Sequence, residues 1–216
     1  MYITYLLLGI TILVSVQFME DSTIKRRLML NPYDVVNYQK WYRCFTHAFI
    51  HADWMHLIFN MYVLYMFGAS VTEPQFGYVN HLSLEPMLVE DFGAIGYLFF
   101  GCLYIGAILF SSTVSIFRHR ENMHYNSVGA SGAVMAVVFG YILLHPTAEL
   151  GLIFLPIYVP AYIFGPIILV AEFLLSRRGG TGIAHDAHIA GAIFGIIFMT
   201  IVDYNYLLDF FKHFTS

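Results

Sequence analysis

The chain has 216 residues, of which 59% are hydrophobic and only 11% charged, and its mean hydropathy is +0.69. This composition excludes an ordinary soluble domain and is typical of an integral membrane protein, whose main partner is the lipid bilayer. The net charge is −4 and there is no basic stripe or recognised binding motif, so the sequence gives no reason to propose nucleic acid as a partner.

Six charge-free stretches divide the chain, and each approaches or exceeds the roughly 17 to 25 residues that a spanning helix needs. They predict an all-α membrane protein, a single six-helix domain over residues 1–216. The predicted helices, called the first to the sixth, cover approximately residues 2–19, 54–72, 93–117, 129–145, 151–174 and 185–203. The first has no basic region before it and no small-residue cleavage site, which predicts a retained helix rather than a signal peptide.

Residues 20–53 form the one long connection. Aromatic and basic side chains alternate in it, a mixture that suits the lipid headgroup region. We therefore expect this loop to lie in the membrane interface; an ordinary connecting loop would expose many aromatic rings to water. The residues concerned are Lys40, Trp41, Tyr42, Arg43, Phe45 and Phe49.

Polar side chains gather near the starts of the second, fourth and sixth helices, which begin on the same side of an antiparallel bundle. His56 and Asn60 are four residues apart and share one helical face, while Ser131 and His188 begin the other two helices. Ionisable groups inside spanning helices are costly and usually face a cavity or one another. The pattern predicts a functional site, although the same groups could simply join helices.

Four glycines flank this polar set and are typical of close helix packing in membranes. Gly129 and Gly132 surround Ser131, and Gly191 and Gly195 form a GxxxG pair directly after His188. We expect this pair to let the sixth helix press against the fourth, which brings the His188 imidazole towards Ser131.

The chemistry of the set is that of acyl transfer. Ser131 would be the nucleophile and His188 its base, and the developing oxyanion would meet Asn60, His56 and the backbone amide of Ser131. Asp186 is only two residues from His188 and should face another way, which predicts a Ser/His dyad. His185 competes for the role of base, but it follows the polar loop 179–182 and is expected nearer water.

Three sequence blocks resemble the rhomboid intramembrane serine proteases: RCFTHAFIHADWMHLIFN at 43–60, GASG at 129–132 and AHIAG at 187–191. The resemblance implies Ser131 as nucleophile, His188 as base, and an oxyanion hole at Asn60 and His56. It further implies that His51 supports the loop and that Glu73 is an anchor after the second helix. Two positions depart from the family pattern: Tyr42 separates Trp41 from Arg43 of the Trp-Arg signature, and Met135 stands where some members have an aromatic ring.

The predicted function is an intramembrane serine endopeptidase that needs no cofactor and cleaves transmembrane segments of other membrane proteins. One alternative is a metal-dependent membrane oxidase or desaturase, in which His47 and His51 form an HxxxH pair and His56, His185 and His188 add ligands. Further HxxHH clusters and an HExxH motif are absent from the sequence. The other alternative is a catalytically silent rhomboid-like adaptor, although such relatives tend to lose the serine or histidine.

The two cysteines, Cys44 and Cys102, suggest neither a disulfide nor a zinc site.

Access and orientation complete the predictions. Pro156, Pro160 and Pro166 weaken the fifth helix, which would form a lateral entry with the loop 179–182 as its cap. Most basic residues lie in loops on the catalytic side, so the positive-inside rule turns the site towards the cytoplasm. The family resemblance implies the opposite, and we expect a multi-pass protein of a bacterial inner membrane with its site towards the outer face.

Overall fold

The computed structural model describes residues 2–69, 83–152, 155–178 and 183–214, and these residues are mostly helical. Among them, the helices Ala94–His119 and His185–Val202 are long and apolar enough to cross a membrane, and Ile3–Phe18 and Ser131–Leu144 are apolar but shorter. The helices are α1 (Ile3–Phe18), α2 (Ser22–Leu28), α3 (Pro32–Tyr38), α4 (Arg43–Thr46), α5 (Trp54–Gly68), α6 (Leu84–Phe92), α7 (Ala94–His119), α8 (Ser131–Leu144), α9 (Ala161–Arg178), α10 (His185–Val202) and α11 (Tyr204–Lys212); a 3₁₀ turn covers His47–Phe49, and strands β1 (Glu149–Leu152) and β2 (Leu155–Pro160) form a hairpin.

Helix α8 lies at the centre of the bundle. Ten of its 14 residues are buried, and it packs against α5, α7, α9 and α10. A helix that is apolar on all sides must be covered by other protein elements or by lipid, and here protein covers most of it. The start of α8, where Ser131 lies, is therefore held by elements from both halves of the chain.

The contact between α8 and α10 is made by backbone against backbone. A Cβ atom added at Gly191 would lie 1.9 Å from the carbonyl oxygen of Gly132, and one at Gly195 would lie 2.3 Å from that of Ala136. Only glycine permits this approach. The first turns of α10 consequently lie directly against the start of α8.

The connection between α1 and α5 is folded into short helices and is tied to the segment before Ser131. Arg43 is buried, donates to the carbonyl of Met29 at 3.0 Å and lies 3.2 Å from the Asp34 carboxylate. Leu30 and Ser127 exchange two backbone hydrogen bonds of 2.9 Å. These contacts fix the chain that leads into α8. Trp41 and Tyr42 are exposed, and the Tyr42 hydroxyl donates to the carbonyl of Arg27.

The prediction that the fifth helix begins at residue 151 was wrong: β1 (Glu149–Leu152) and β2 (Leu155–Pro160) pair there as antiparallel strands. Pro156 and Pro160 lie in β2, and of the three prolines only Pro166 is inside α9. Each proline lacks the N–H that a helix interior requires, so this segment forms a hairpin that ends where α9 starts. The sequence pattern did not indicate two of the helices: α6, which precedes α7, and α11, which follows α10.

Candidate active site

Ser131 is the first residue of α8 and follows a tight glycine turn. Gly129 has φ +104°, a conformation that side chains strain, and its N–H donates to the carbonyl of His47 at 2.9 Å. A Cβ atom there would lie 2.6 Å from the His56 ring. Both the positive φ and the lack of space therefore require glycine at this position. The turn places the Ser131 backbone beside the imidazoles of His51, before α5, and of His56, in its first turn.

His51 supports this turn as a neutral imidazole. The Ser15 hydroxyl donates to the carbonyl of Phe49, so it accepts from His51 Nδ1 at 2.8 Å. This assigns the proton to Nδ1 and leaves Nε2 to face the Ala130 N–H, a long contact of 3.5 Å. Burial, with the neighbouring His56, lowers the pKa of His51 to about 3, which keeps the ring uncharged.

His56 and Asn60 lie on one face of α5, as their spacing predicts. The Asp53 carboxylate caps the helix through the His56 N–H at 2.8 Å, and the His51 and His56 rings meet edge to face at 4.9 Å. Asn60 is buried and its amide donates to the His56 carbonyl at 2.8 Å, a bond that uses one of its two N–H groups.

His188 lies in the first turn of α10, one turn before Gly191, on the face that packs against α8. Its side chain is 14% exposed, and its Nδ1 lies 3.0 Å from Glu172 Oε1 of α9. This is an ion-pair distance, but the two groups are not aligned as a hydrogen bond. The ring thus directs Nδ1 towards α9 and keeps Nε2 for another partner.

Glu172 was not among the predicted site residues. Its second oxygen makes a hydrogen bond of 2.5 Å with His185 Nδ1. The signal for it was present in the sequence, because Glu172 is a carboxylate within the predicted fifth helix, and an ionisable group there needs a partner. The partner could not be named without knowing how α9 is rotated against α10.

The expected exposure of His185 was wrong. Its side chain is 4% exposed, less than that of His188, because α9 covers it and Glu172 binds it. Asp186 does turn away from His188, as its two-residue spacing predicts. It lies 3.3 Å from His119 Nε2 and accepts a hydrogen bond from the Ser115 hydroxyl at 3.2 Å.

The histidines of the HxxxH pair do not converge on a metal site. His47 Nε2 lies 2.9 Å from the Ser112 hydroxyl, whereas His51 bonds to Ser15. In the described part of the chain, one group of three residues could hold a metal ion, with donor atoms within 4.8 Å of one another. It consists of Glu172, His185 and His188, and it includes neither member of the HxxxH pair.

The remaining predicted residues have mixed placements. Gly132, Gly191 and Gly195 lie in the contact between α8 and α10, and Arg43 lies in the folded loop. Met135 is half-buried on α8. Glu73 and the loop 179–182 lie outside the described residues.

These features define a helical membrane protein with a serine at the head of a central helix and a histidine on the helix packed closest to it. The Rhomboid domain model matches residues 38–205, and the chain belongs to the rhomboid family. The family is membrane-integral, which agrees with the composition. The predicted resemblance to rhomboids is thereby confirmed.

Similar curated proteins come from plants and animals. RHOMBOID-like protein 12, mitochondrial, of Arabidopsis thaliana is 30% identical over 193 residues, which cover 86% of this chain and 54% of that protein. Presenilin-associated rhomboid-like protein, mitochondrial, of Homo sapiens is 30% identical over 157 residues, 71% of this chain and 36% of that protein. Rhomboid-like protein 11, chloroplastic, of Arabidopsis thaliana is 26% identical over 193 residues, which cover 86% of this chain and 61% of that protein. The chain spans about a third to three fifths of these relatives, and their names do not support a bacterial inner membrane.

Proposed function

We propose that the chain is an intramembrane serine endopeptidase that cleaves transmembrane segments of other membrane proteins. The observation that carries the proposal is the backbone contact of Gly132 with Gly191, because it brings the first turn of α10 against the start of α8. Ser131 is the nucleophile and His188 the base. Membership of a family that includes serine proteases supports the same assignment.

In this mechanism the Ser131 hydroxyl attacks the scissile carbonyl and passes its proton to His188 Nε2. The negative oxygen that forms meets the first amide of α8, which has no acceptor within its own helix, together with Asn60 and His56. A single donor of this kind typically contributes about a hundred- to a thousandfold in rate. His188 returns the proton to the leaving amine, and water then hydrolyses the acyl-enzyme.

The substrate is a membrane protein with a locally unwound segment, because the hydrogen bonds and side chains of an intact helix shield its peptide carbonyls.

Six spanning helices surround the site, and water enters from the side of the loop 20–53. The six are α1, α5, α7, α8, α9 and α10. The site opens to the outer face of the membrane. A reporter that is active only in the cytoplasm, fused after Ser216, should give signal; silence there would place the site on the cytoplasmic side.

The test is cleavage of a generic rhomboid substrate in detergent or liposomes. Ser131→Ala and His188→Ala should each abolish cleavage, and the double variant should be no worse, because the two residues act as a unit. His124→Ala, at an exposed position, is the matched control and should cleave like the wild type. A fluorophosphonate should label the wild type and not Ser131→Ala. Wild-type turnover by Ser131→Ala, or turnover that a chelator removes, would contradict the proposal.

A further inference from the structure

One carboxylate lies inside the polar site without a role in the proposed chemistry. Glu172 is the sole acidic residue of α9, and its side chain is 17% exposed. A carboxylate within an apolar helix is costly unless it is paired. Here both oxygens face imidazole nitrogens, at 2.5 Å for His185 and 3.0 Å for His188.

The atoms that meet determine what this pairing can do. Glu172 faces His188 at Nδ1, which leaves Nε2 as the nitrogen that can take a proton from a nucleophile. In serine hydrolases with three catalytic groups, the carboxylate holds the proton on Nδ1 and orients the ring. The Glu172 contact has the same connectivity. The carboxylate of Glu is attached through a broad terminal torsion, and rotation about it can align the 3.0 Å contact.

We infer that Glu172 is a positioning residue for His188. It accepts the Nδ1–H of His188, fixes the tautomer whose Nε2 accepts the Ser131 proton, and stabilises the imidazolium that forms. His185 binds the second oxygen and so holds the carboxylate in place. The inference rests on the proposed function, and it replaces the predicted dyad with a Ser131, His188 and Glu172 set in which α9 supplies the third group.

This arrangement also connects the lateral helix to the chemistry. Glu172 lies on α9 and His188 on α10, so a displacement of α9 away from α10 breaks the contact. The base is then fully oriented only when α9 is packed against α10. Substrate entry past α9 and activation of Ser131 become successive states of one site.

The same three side chains could instead hold a divalent cation. Zinc would require nitrogen and oxygen ligands at about 2.0–2.2 Å, and both Nδ1 atoms would have to be free of protons. Glu172 and His185 Nδ1 are instead within direct hydrogen-bond reach of each other, and such a bond needs a proton between them. The geometry therefore favours a proton between these groups, and metal binding is an outcome that the experiment must detect.

The experiment compares Glu172→Gln and Glu172→Asp with the wild type. Glu121→Gln is the matched control, since it makes the same change at a side chain that is 92% exposed. Cleavage by Glu172→Gln should show kcat reduced about ten- to a hundredfold with KM nearly unchanged, less than the roughly 10⁴-fold loss of a triad carboxylate, because packing against α8 also holds His188. Glu172→Asp should recover part of kcat, and Glu121→Gln should match the wild type.

A second readout does not require turnover. Nitrogen NMR of the histidine-labelled protein, with His188 assigned by its loss in His188→Gln, reports which ring nitrogen carries the proton. The wild type should show the proton on Nδ1, and Glu172→Gln should shift His188 towards the other tautomer or a mixture. Thermal midpoints of the variants in detergent confirm that each is folded.

The outcomes separate the two proposals. Unchanged kcat and an unchanged His188 tautomer in Glu172→Gln, with cleavage still dependent on Ser131, would overturn the positioning role alone. Absence of Ser131-dependent cleavage in the wild type would overturn the proposed function and the catalytic role of Glu172 with it, while the tautomer would still show whether the two residues pair. Stoichiometric zinc, lost in Glu172→Gln and removed by a chelator together with activity, would replace the inference with a metal site.

Discussion

The bundle contains one tightly packed helix pair and one loosely packed helix. Helices α8 and α10 form the tight pair, and α9 is the loosely packed helix. Gly132 and Gly191 bring two backbones into direct contact, whereas α9 buries only Ala161 and Gly165 among its residues. The proposed nucleophile and base lie on α8 and α10, and the Glu172 carboxylate lies on α9. Groups that must keep a fixed distance are thus on rigid elements, and the group that could respond to substrate entry is on a loosely held one.

The difference has a simple physical origin. Where Gly132 meets Gly191, the α8 and α10 backbones have no side chain between them that could change rotamer, so the helices cannot separate there without losing this contact. Helix α9 directs large apolar side chains such as Ile167, Val170 and Leu174 outwards, where lipid can replace protein. Pro166 further removes one hydrogen bond from its interior.

The largest effect should follow from breaking the rigid contact. Gly191→Ala places a Cβ atom 1.9 Å from the Gly132 carbonyl oxygen, so the helices must separate. We expect the free energy of unfolding to fall by at least about 1–3 kcal/mol. We also expect kcat/KM to fall by at least about a hundredfold, because a displacement of 1 Å can cost that much. Thermal midpoints and cleavage rates measure the two effects.

Gly9→Ala is the matched control for this change. A Cβ atom at Gly9 of α1 meets nothing within 4 Å, so the substitution should be neutral or stabilise the protein by up to about 1 kcal/mol. Equal behaviour of the two variants would show that the contact of α8 with α10 does not set the geometry of the site.

The contact between α8 and α10 is the part of the molecule that the sequence predicted best. The GxxxG pair at Gly191 and Gly195 indicated a close helix contact, and the structure records it against Gly132 and Ala136. The turn before Ser131 was also within reach, since a glycine two residues before a helix start is typical of a backbone with positive φ. Local patterns suffice here because only glycine allows the close approach at Gly191 and the positive φ at Gly129.

The loosely packed part was predicted less well. The apolar run after residue 150 is compatible with a helix or a buried strand, and only the positions of Pro156 and Pro160 decide for the hairpin. The pairing of Glu172 with His185 and His188 depends on the rotation of α9 about its axis, which no short motif encodes. Long-range contacts between helices of weak periodicity are set by the whole bundle.

Acid should act on the two buried histidines of the connection that leads into α5, beside the turn before Ser131. Burial lowers the pKa of His47 to about 4 and that of His51 to about 3, from an ordinary value of 6.5. The unfolded chain therefore binds more protons than the folded one below pH 6.5. Stability is complete above that pH and falls on acidification towards the folded values, by up to about 1.4 kcal/mol per pH unit for each histidine.

Thermal midpoints between pH 7.5 and pH 5 measure this slope. His51→Gln should lower the stability at neutral pH but also flatten the slope, because one of the two titrating groups is gone. His124→Gln, at an exposed histidine, should leave the slope unchanged. A slope that His51→Gln does not alter would mean that His51 is not held neutral beside the turn before Ser131.

The smallest effect should come from making α9 stiffer. Pro166→Ala supplies the missing N–H to the carbonyl of Tyr162 one turn earlier and so restores a complete helical ladder. If α9 bends aside to admit substrate, cleavage of a transmembrane substrate should slow by less than about tenfold. The rate at which a small fluorophosphonate labels Ser131 should stay the same, because that reagent needs no lateral opening. Ser176→Ala, on the same helix, serves as the control for a substitution that leaves the ladder intact. An equal loss in both assays would show that Pro166 shapes the site itself, and no loss in either would show that α9 does not limit entry.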